Sequence, residues 1–286
     1  MAPRISSYMR SPVYVVSPTD SLAYARNYML KKEISRVVVV NDTGIPVGIL
    51  TVTDIIETLF GRNYQKTLDS ILVNEVMTSN PIVIEESKSI KTASYLMLRH
   101  KIGGLPVVDK RGKLIGMLTK TDIARAFYER YKGKFVVSDL MRRDFTTALS
   151  SHSIFYIARL LETDPSGKVI VIDSNNKPIG VIAKKDLAYA QLPISALITR
   201  GKDRYIKTKI PDIYRNKIVS IRMYLVPIAE DIMSNNPLTI NLDEDASKAA
   251  ELIVRENIGV LPVTDESNTI KGTITKLEFL NVFAKS

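Results

Sequence analysis

The sequence contains no cysteine and no tryptophan among its 286 residues, and only two histidines. Without cysteine there can be no disulfide, no thiolate metal ligand and no cysteine nucleophile. That absence suits a reducing compartment, and a cytoplasmic location is expected. His100 and His152 stand in no H-E-x-x-H pattern, and neither a P-loop nor a G-x-S-x-G elbow is present. The expectation is therefore no catalytic residue, no metal site and no enzyme. No run approaches the roughly 18–20 apolar residues that cross a bilayer, and the opening "MAPRISSYMR" lacks the apolar core of a secretion signal. No membrane partner is expected.

Charge, by contrast, is plentiful and unevenly spread. The formal net charge is +10, from 40 Lys and Arg against 30 Asp and Glu. Residues 193–224 carry 8 basic and 2 acidic side chains, whereas residues 225–286 carry 5 and 10. A field of this kind bears on partners and association, not on fold.

A motif recurs four times. Gly48 opens "GILTVTD", Gly116 opens "GMLTKTD", Gly180 opens "GVIAKKD" and Gly272 opens "GTITKLE". The acids fall at Asp54, Asp122, Asp186 and Glu278, spaced by 68, 64 and 92 residues. Upstream of each lies a Met, a polar stretch and an apolar strand: "YMRSPVYVV", "VMTSNPIVI", "LMRRDFTTA" and "IMSNNPLTI". A helix-period stretch follows, in which Ala93, Leu96, Met97 and His100 of the second copy, or Ala249, Leu252 and Ile253 of the fourth, would share a face. Then come a β-branched strand, a turn of residues that tolerate positive φ ("NDTG", "DKRGK"), a second strand and a last helix. Each unit reads β-α-β-β-α. One unit cannot cover its own sheet, so repeats are expected to pair, one with two and three with four. The predicted repeats span 8–60, 76–130, 140–192 and 232–284, with a basic insertion at 193–231.

The Thr and the acid sit where a strand ends and a helix begins. Free N–H groups and a partial positive charge at a helix start favour phosphate, and a carboxylate there can accept hydrogen bonds from two ribose hydroxyls. The same Thr-x-x-Asp is also an ordinary N-cap, and a cap required by the fold would recur as faithfully as a binding site.

The combination of "MTSNPIVI", "IGGLPVVD" and "GKLIGMLTKTDI" in the second unit resembles the CBS-domain family. The resemblance extends over all four units. It implies an α+β fold (of α/β-type repeats): four CBS repeats forming two pseudo-twofold Bateman modules packed as a flat disc. The plan resembles the regulatory gamma subunit of AMP-activated kinase and stand-alone archaeal four-repeat proteins. It implies an adenine nucleotide (AMP, ADP or ATP) as regulatory ligand, with no chemistry. Position by position, it places Thr51 and Asp54, Thr119 and Asp122, Asp186, and Thr275 and Glu278 at nucleotide sites, with Ala183 replacing the hydroxyl of the third repeat. Thr239 and Thr147 would lie near adenine, with Tyr14 and Val83 at that position in the first two repeats. Arg36, Lys120 and Lys184 are candidate phosphate cations, and Lys276 shares the motif position of the two lysines. The sites of Asp54 and Asp122 rank first, Asp186 next and Glu278 last.

Within the insertion, Arg200, Lys202, Arg204, Lys207, Lys209, Arg215, Lys217 and Arg222 alternate with Tyr205, Tyr214 and Tyr224. Cations that track phosphates and aromatics that stack on bases suggest a polyanion, RNA or the ribosome. The competing reading is that the insertion pairs with the acidic fourth repeat. Two functions follow: a nucleotide-sensing body that docks on RNA or the ribosome, with translation silencing or ribosome protection as its extension, or a subunit that gates a protein kinase, transporter or enzyme. A homodimer is a further expected assembly.

Overall fold

The structure, a computed structural model, describes residues 3–60, 67–189 and 227–286. Residues 193–226 of the basic insertion, with all eight of its cations, lie outside the described residues. The first repeat holds β1 (Val15–Val16), the helix Leu22–Lys31, β2 (Arg36–Val40), β3 (Pro46–Thr51) and the helix Val52–Phe60. The second holds β4 (Thr78–Ser79), β5 (Ile84–Glu85), the helix Ile90–Arg99, β6 (Gly104–Val108), β7 (Leu114–Thr119) and the helix Lys120–Arg130. The third holds β8 (Thr147–Leu149), the helix Ile154–Thr163, β9 (Lys168–Ile172), β10 (Pro178–Ala183) and the helix Lys184–Tyr189. The fourth holds β11 (Ser234–Asn235), β12 (Ile240–Asn241), the helix Ala246–Arg255, β13 (Val260–Thr264), β14 (Ile270–Thr275) and the helix Lys276–Lys285.

Local chemistry explains the repetition. The first helix of each repeat is opened by a capping side chain: Ser21, Ser89, Ser153 and Asp245 each accept a backbone N–H from the first turn. The helix then serves as the crossover between parallel strands, as in β1 with β2 and β5 with β6. The next two strands form an antiparallel hairpin, and its turn repeats the same device. Asn41, Asp109, Asp173 and Asp265 each accept N–H groups two and four residues on. Gly44, Gly112, Asn176 and Asn268 take the positive φ that this turn requires. The face of the Ile90–Arg99 helix differs from the expected one: Ile90, Ala93, Ser94 and Met97 are buried, and His100 is the exposed C-cap residue. The helix has ended at Arg99, so the three-to-four spacing no longer places residue 100 on its inner face.

The repeats are stitched in pairs by exchanged segments. The polar stretch after Met77 supplies β4 to the sheet of the first repeat, giving the order β1-β2-β3-β4. Conversely, Arg10 forms a bridge to Met117 of β7. The other pair repeats this, with β11 beside β10 and Arg142 bridged to Thr273. At each exchange a methionine lies on the partner's motif glycine. A Cβ on Gly48 would sit 2.3 Å from Met77 Sδ, on Gly116 2.5 Å from Met9 Sδ, on Gly180 2.3 Å from Met233 Sδ and on Gly272 2.8 Å from Met141 Sδ. Only glycine admits the thioether there.

The chain divides into two compact units. The first contains residues 1–140 with Glu244–Gly259 and Ile274–Ser286, and the second contains Met141–Asp243 with Val260–Thr273. In the first unit the Lys120–Arg130 helix packs on Ala246–Arg255 and Lys276–Lys285. Phe127, Phe279 and Phe283 are buried there, with the Phe127 and Phe279 rings 4.7 Å apart and Tyr131 edge-on to Phe283 at 5.2 Å. The core of repeat one gathers Val16, Leu22, Met29, Val37, Val39 and Leu50 between its sheet and helix. In the second unit Ala148, Ile157, Leu161, Val169, Val171 and Ile182 do the same for repeat three.

Candidate functional site

Each motif acid accepts a backbone N–H at the strand-to-helix junction, and in the first, second and fourth repeats it closes a capping box with the Thr. Asp54 Oδ2 accepts from the Thr51 N–H and hydroxyl, both at 2.7 Å. Asp122 Oδ2 accepts from Thr119 in the same way at 2.8 and 2.6 Å. Glu278 Oε2 accepts from Thr275 at 2.6 and 2.7 Å, and Asp186 accepts the Ala183 N–H alone at 2.7 Å. The capping reading and the binding reading are thus compatible: the box uses one carboxylate oxygen and leaves the second to be placed by it.

That second oxygen meets different surroundings in different repeats. Asp54 and Asp186 are half-buried, and the described residues supply neither with an ion pair. Asp122 is 1% exposed; its Oδ1 takes Arg10 Nε at 3.3 Å and has Arg125 at 3.6 Å. Arg125 is anchored in turn by donating to the Tyr8 carbonyl at 2.6 Å.

Two of the predicted cations meet. Arg36 reaches from the first repeat across Gly103 and Gly104 of the second: a Cβ on Gly103 would lie 2.5 and 2.6 Å from the two terminal guanidinium nitrogens. Burial lowers the Arg36 pKa from its ordinary value. Lys120, whose N–H donates to the Gly103 carbonyl, is also lowered, first by burial and then by repulsion from Arg36; the Glu278 carboxylate partly offsets this. Two like charges held near each other in a partly desolvated place repel, and a nearby negative charge would relieve that repulsion.

The remaining predicted residues are more dispersed. Lys184 is exposed, with its stem on Gly167. Thr239 is half-buried, immediately before β12. The strand register revises one assignment. Thr147 pairs with Ile170, two residues after Lys168, and Val15 pairs with Val38, two residues after Arg36. Val15, not Tyr14, is therefore the counterpart of Thr147 and Val83. The spacing from the Met to this position is the same in every repeat; the first repeat's proline, Pro12, stands one residue closer to its Met than Pro81 and Pro237 do, so alignment on the proline misplaced the strand by one.

Sequence reasoning missed a third constellation. Arg142 donates to Asp164 Oδ2 at 2.6 Å, where Thr146 also donates at 2.9 Å, and Ser166 fills Oδ1. Burial pushes the Asp164 carboxyl up, but these hydrogen bonds outweigh it and hold the pKa below the usual carboxylate range. With Lys168, Ile170, Val260 and Thr273 the pair lines a small pocket within the second unit. The available signal was the arginine directly after Met in "YMRSP" and "LMRRD".

The CBS domain model matches residues 5–61, 73–129, 137–192 and 229–285. The chain belongs to the CBS-domain family. Among CBS proteins, the uncharacterized MJ1225 of Methanocaldococcus jannaschii is 27% identical over 285 residues, covering 95% of each chain. Its crystal structure, described as that of a candidate archaeal homologue of g-AMPK, aligns over 99% of this chain and 100% of that one, with a TM-score of 0.75 at 24% identity. A conserved protein from Pyrococcus horikoshii aligns over 98% and 100%, with a TM-score of 0.65 at 18% identity. The inosine-5'-monophosphate dehydrogenase of Korarchaeum cryptofilum is 36% identical over 120 residues, 42% of this chain but 23% of that enzyme. The fold is thus that of a four-CBS protein. No described helix is long and apolar enough to cross a membrane, and no cluster of metal-ligating side chains occurs among the described residues.

Proposed function

We propose that this CBS protein is a non-enzymatic regulator that binds an adenine nucleotide between paired repeats. The observation that carries the reading is the pairing of Arg36 with Thr51 across the β2–β3 hairpin, which sets the Thr51–Asp54 box beside the strand position of an arginine whose charge is felt at Lys120. The box fixes a carboxylate that can receive a ribose, and the cations offer the phosphate a bidentate guanidinium and an ammonium. Thr119 with Asp122, Asp186, Thr239, Thr275 with Glu278, and Lys184 are the corresponding positions of the other clefts. The test is calorimetric titration of AMP, ADP and ATP into ligand-free protein and an Arg36→Ala variant. Saturable binding that weakens about tenfold or more in the variant is expected; unaltered affinity would remove Arg36 from the site.

The partner is the finer part of the proposal. The net charge of +10 and the eight cations of the insertion favour docking on RNA or the ribosome. On this reading, binding to a polyanion weakens steeply between 50 and 200 mM salt. Salt-indifferent capture of a protein kinase, transporter or enzyme would favour the alternative of a gating subunit.

A further inference from the structure

The residue that follows each crossing methionine occupies one place in the architecture. Arg10 is level with Met117, Thr78 with Ile49, Arg142 with Thr273 and Ser234 with Val181. In every case the partner residue stands two positions before the motif hydroxyl position, Thr119, Thr51, Thr275 or Ala183. This register places the residue after the methionine beside the partner repeat's second hairpin strand, and at Arg10 the side chain reaches the partner's motif acid. Two of the four are hydroxyl residues and two are arginines, and the arginines are engaged. Arg10 closes the last oxygen of a carboxylate that is 1% exposed, while its own side chain is 64% exposed, so it lies over Asp122 like a lid. Arg142 folds onto Asp164 and fills the groove beside Thr273. Its Nε is buried without a hydrogen-bond partner, so the pair is held there at a cost.

We infer that this single position sets which clefts take a nucleotide: Thr78 and Ser234 leave the Asp54 and Asp186 clefts open, and Arg10 fills the Asp122 cleft with the chain's own cation. The inference rests on the nucleotide reading above and deepens it. It removes Asp122 from the top rank that motif matching gives it, because a complete Thr-x-x-Asp is of no use to a ribose when an internal guanidinium already holds the free oxygen.

The test uses two readouts on the full-length protein and on Arg10→Ala, with Arg10→Gln as a second variant that keeps part of the side chain's bulk. The first is carbodiimide coupling of an amine to surface carboxylates, read by peptide mass spectrometry. Asp122 should be protected in the wild-type chain and couple severalfold more in both variants, with Asp54 unaltered. Equal coupling of Asp122 in all three chains overturns the lid, whether that coupling is high or absent. The second readout is AMP titration, in which Arg10→Ala should gain one equivalent per chain. An unchanged stoichiometry with measurable binding overturns the inference. If AMP, ADP and ATP bind to none of the chains, the nucleotide reading fails, and the coupling result still decides whether Arg10 covers Asp122.

Discussion

At the scale of single residues, polar groups that end in the interior decide the most. Ser94 is fully buried in the Ile90–Arg99 helix, and its hydroxyl has no partner among the described residues. Removing an unsatisfied hydroxyl without leaving a large void should be neutral or helpful. Ser94→Ala is predicted to stabilise the protein by up to about 1 kcal/mol in urea unfolding. Asp164 presents the opposite case. Its pKa is lowered in the folded chain, so its contribution is present above the ordinary carboxylate value and is lost as pH falls through the folded value. Asp164→Asn leaves Arg142 without its carboxylate. It should cost roughly 3 kcal/mol near neutrality, and the variant's stability should respond less to acid than the wild type's. Thermal melts from pH 7 down to about 3 would show both effects.

The motif acids and the turns in "NDTG" and "DKRGK" were read from the sequence, because each acts on backbone groups within four positions. Arg10 on Asp122, Arg36 on Gly103 and Arg142 on Asp164 were not. The first two join repeats, and the third joins a lead segment to a loop across a helix. No local period marks such contacts.

At the scale of elements, two interfaces carry the architecture. Each exchanged segment depends on a thioether seated on a glycine. Gly48→Ala would bring a methyl within 2.3 Å of Met77 Sδ. The sulfur is anchored near its backbone crossing, so the expected cost is about 1–3 kcal/mol. Gly103→Ala meets the far end of a flexible side chain instead, 2.5 Å from the Arg36 guanidinium. That variant should keep its melting temperature and lose affinity for phosphate-bearing ligands, a separation that a purely structural arginine would not produce. The second interface is the aromatic seam of Phe127, Phe279, Phe283 and Tyr131. Phe127→Ala should cost about 3–5 kcal/mol and loosen the fourth repeat's helices in hydrogen exchange. The strand-helix-hairpin-helix order was legible because each element announces its own period. This seam was not, because an apolar helix face shows only that something covers it. Pairing of one with two and three with four was expected; the contact of second-repeat helices with fourth-repeat helices came only with the structure.

In the whole molecule the four copies of one unit are not equivalent. Differences at one position after the methionine, and at the third-repeat hydroxyl, break a fourfold pattern into open and filled clefts. Ligand binding should also move protons. A phosphate beside Lys120 restores the charge that burial and Arg36 disfavour, so its lowered pKa rises on binding and protons are taken up on the alkaline side of neutrality. Binding heats should then depend on the ionisation enthalpy of the buffer at high pH. The measurement that tests the central claim most directly is titration of AMP into ligand-free protein and into Asp54→Asn. The asparagine keeps an oxygen for the Thr51 cap and removes the second carboxylate oxygen. Saturable binding to the wild type, weakened about tenfold or more in the variant at unchanged melting temperature, is the predicted result. Equal affinity in the two proteins, or no binding of AMP, ADP or ATP to either, would contradict it.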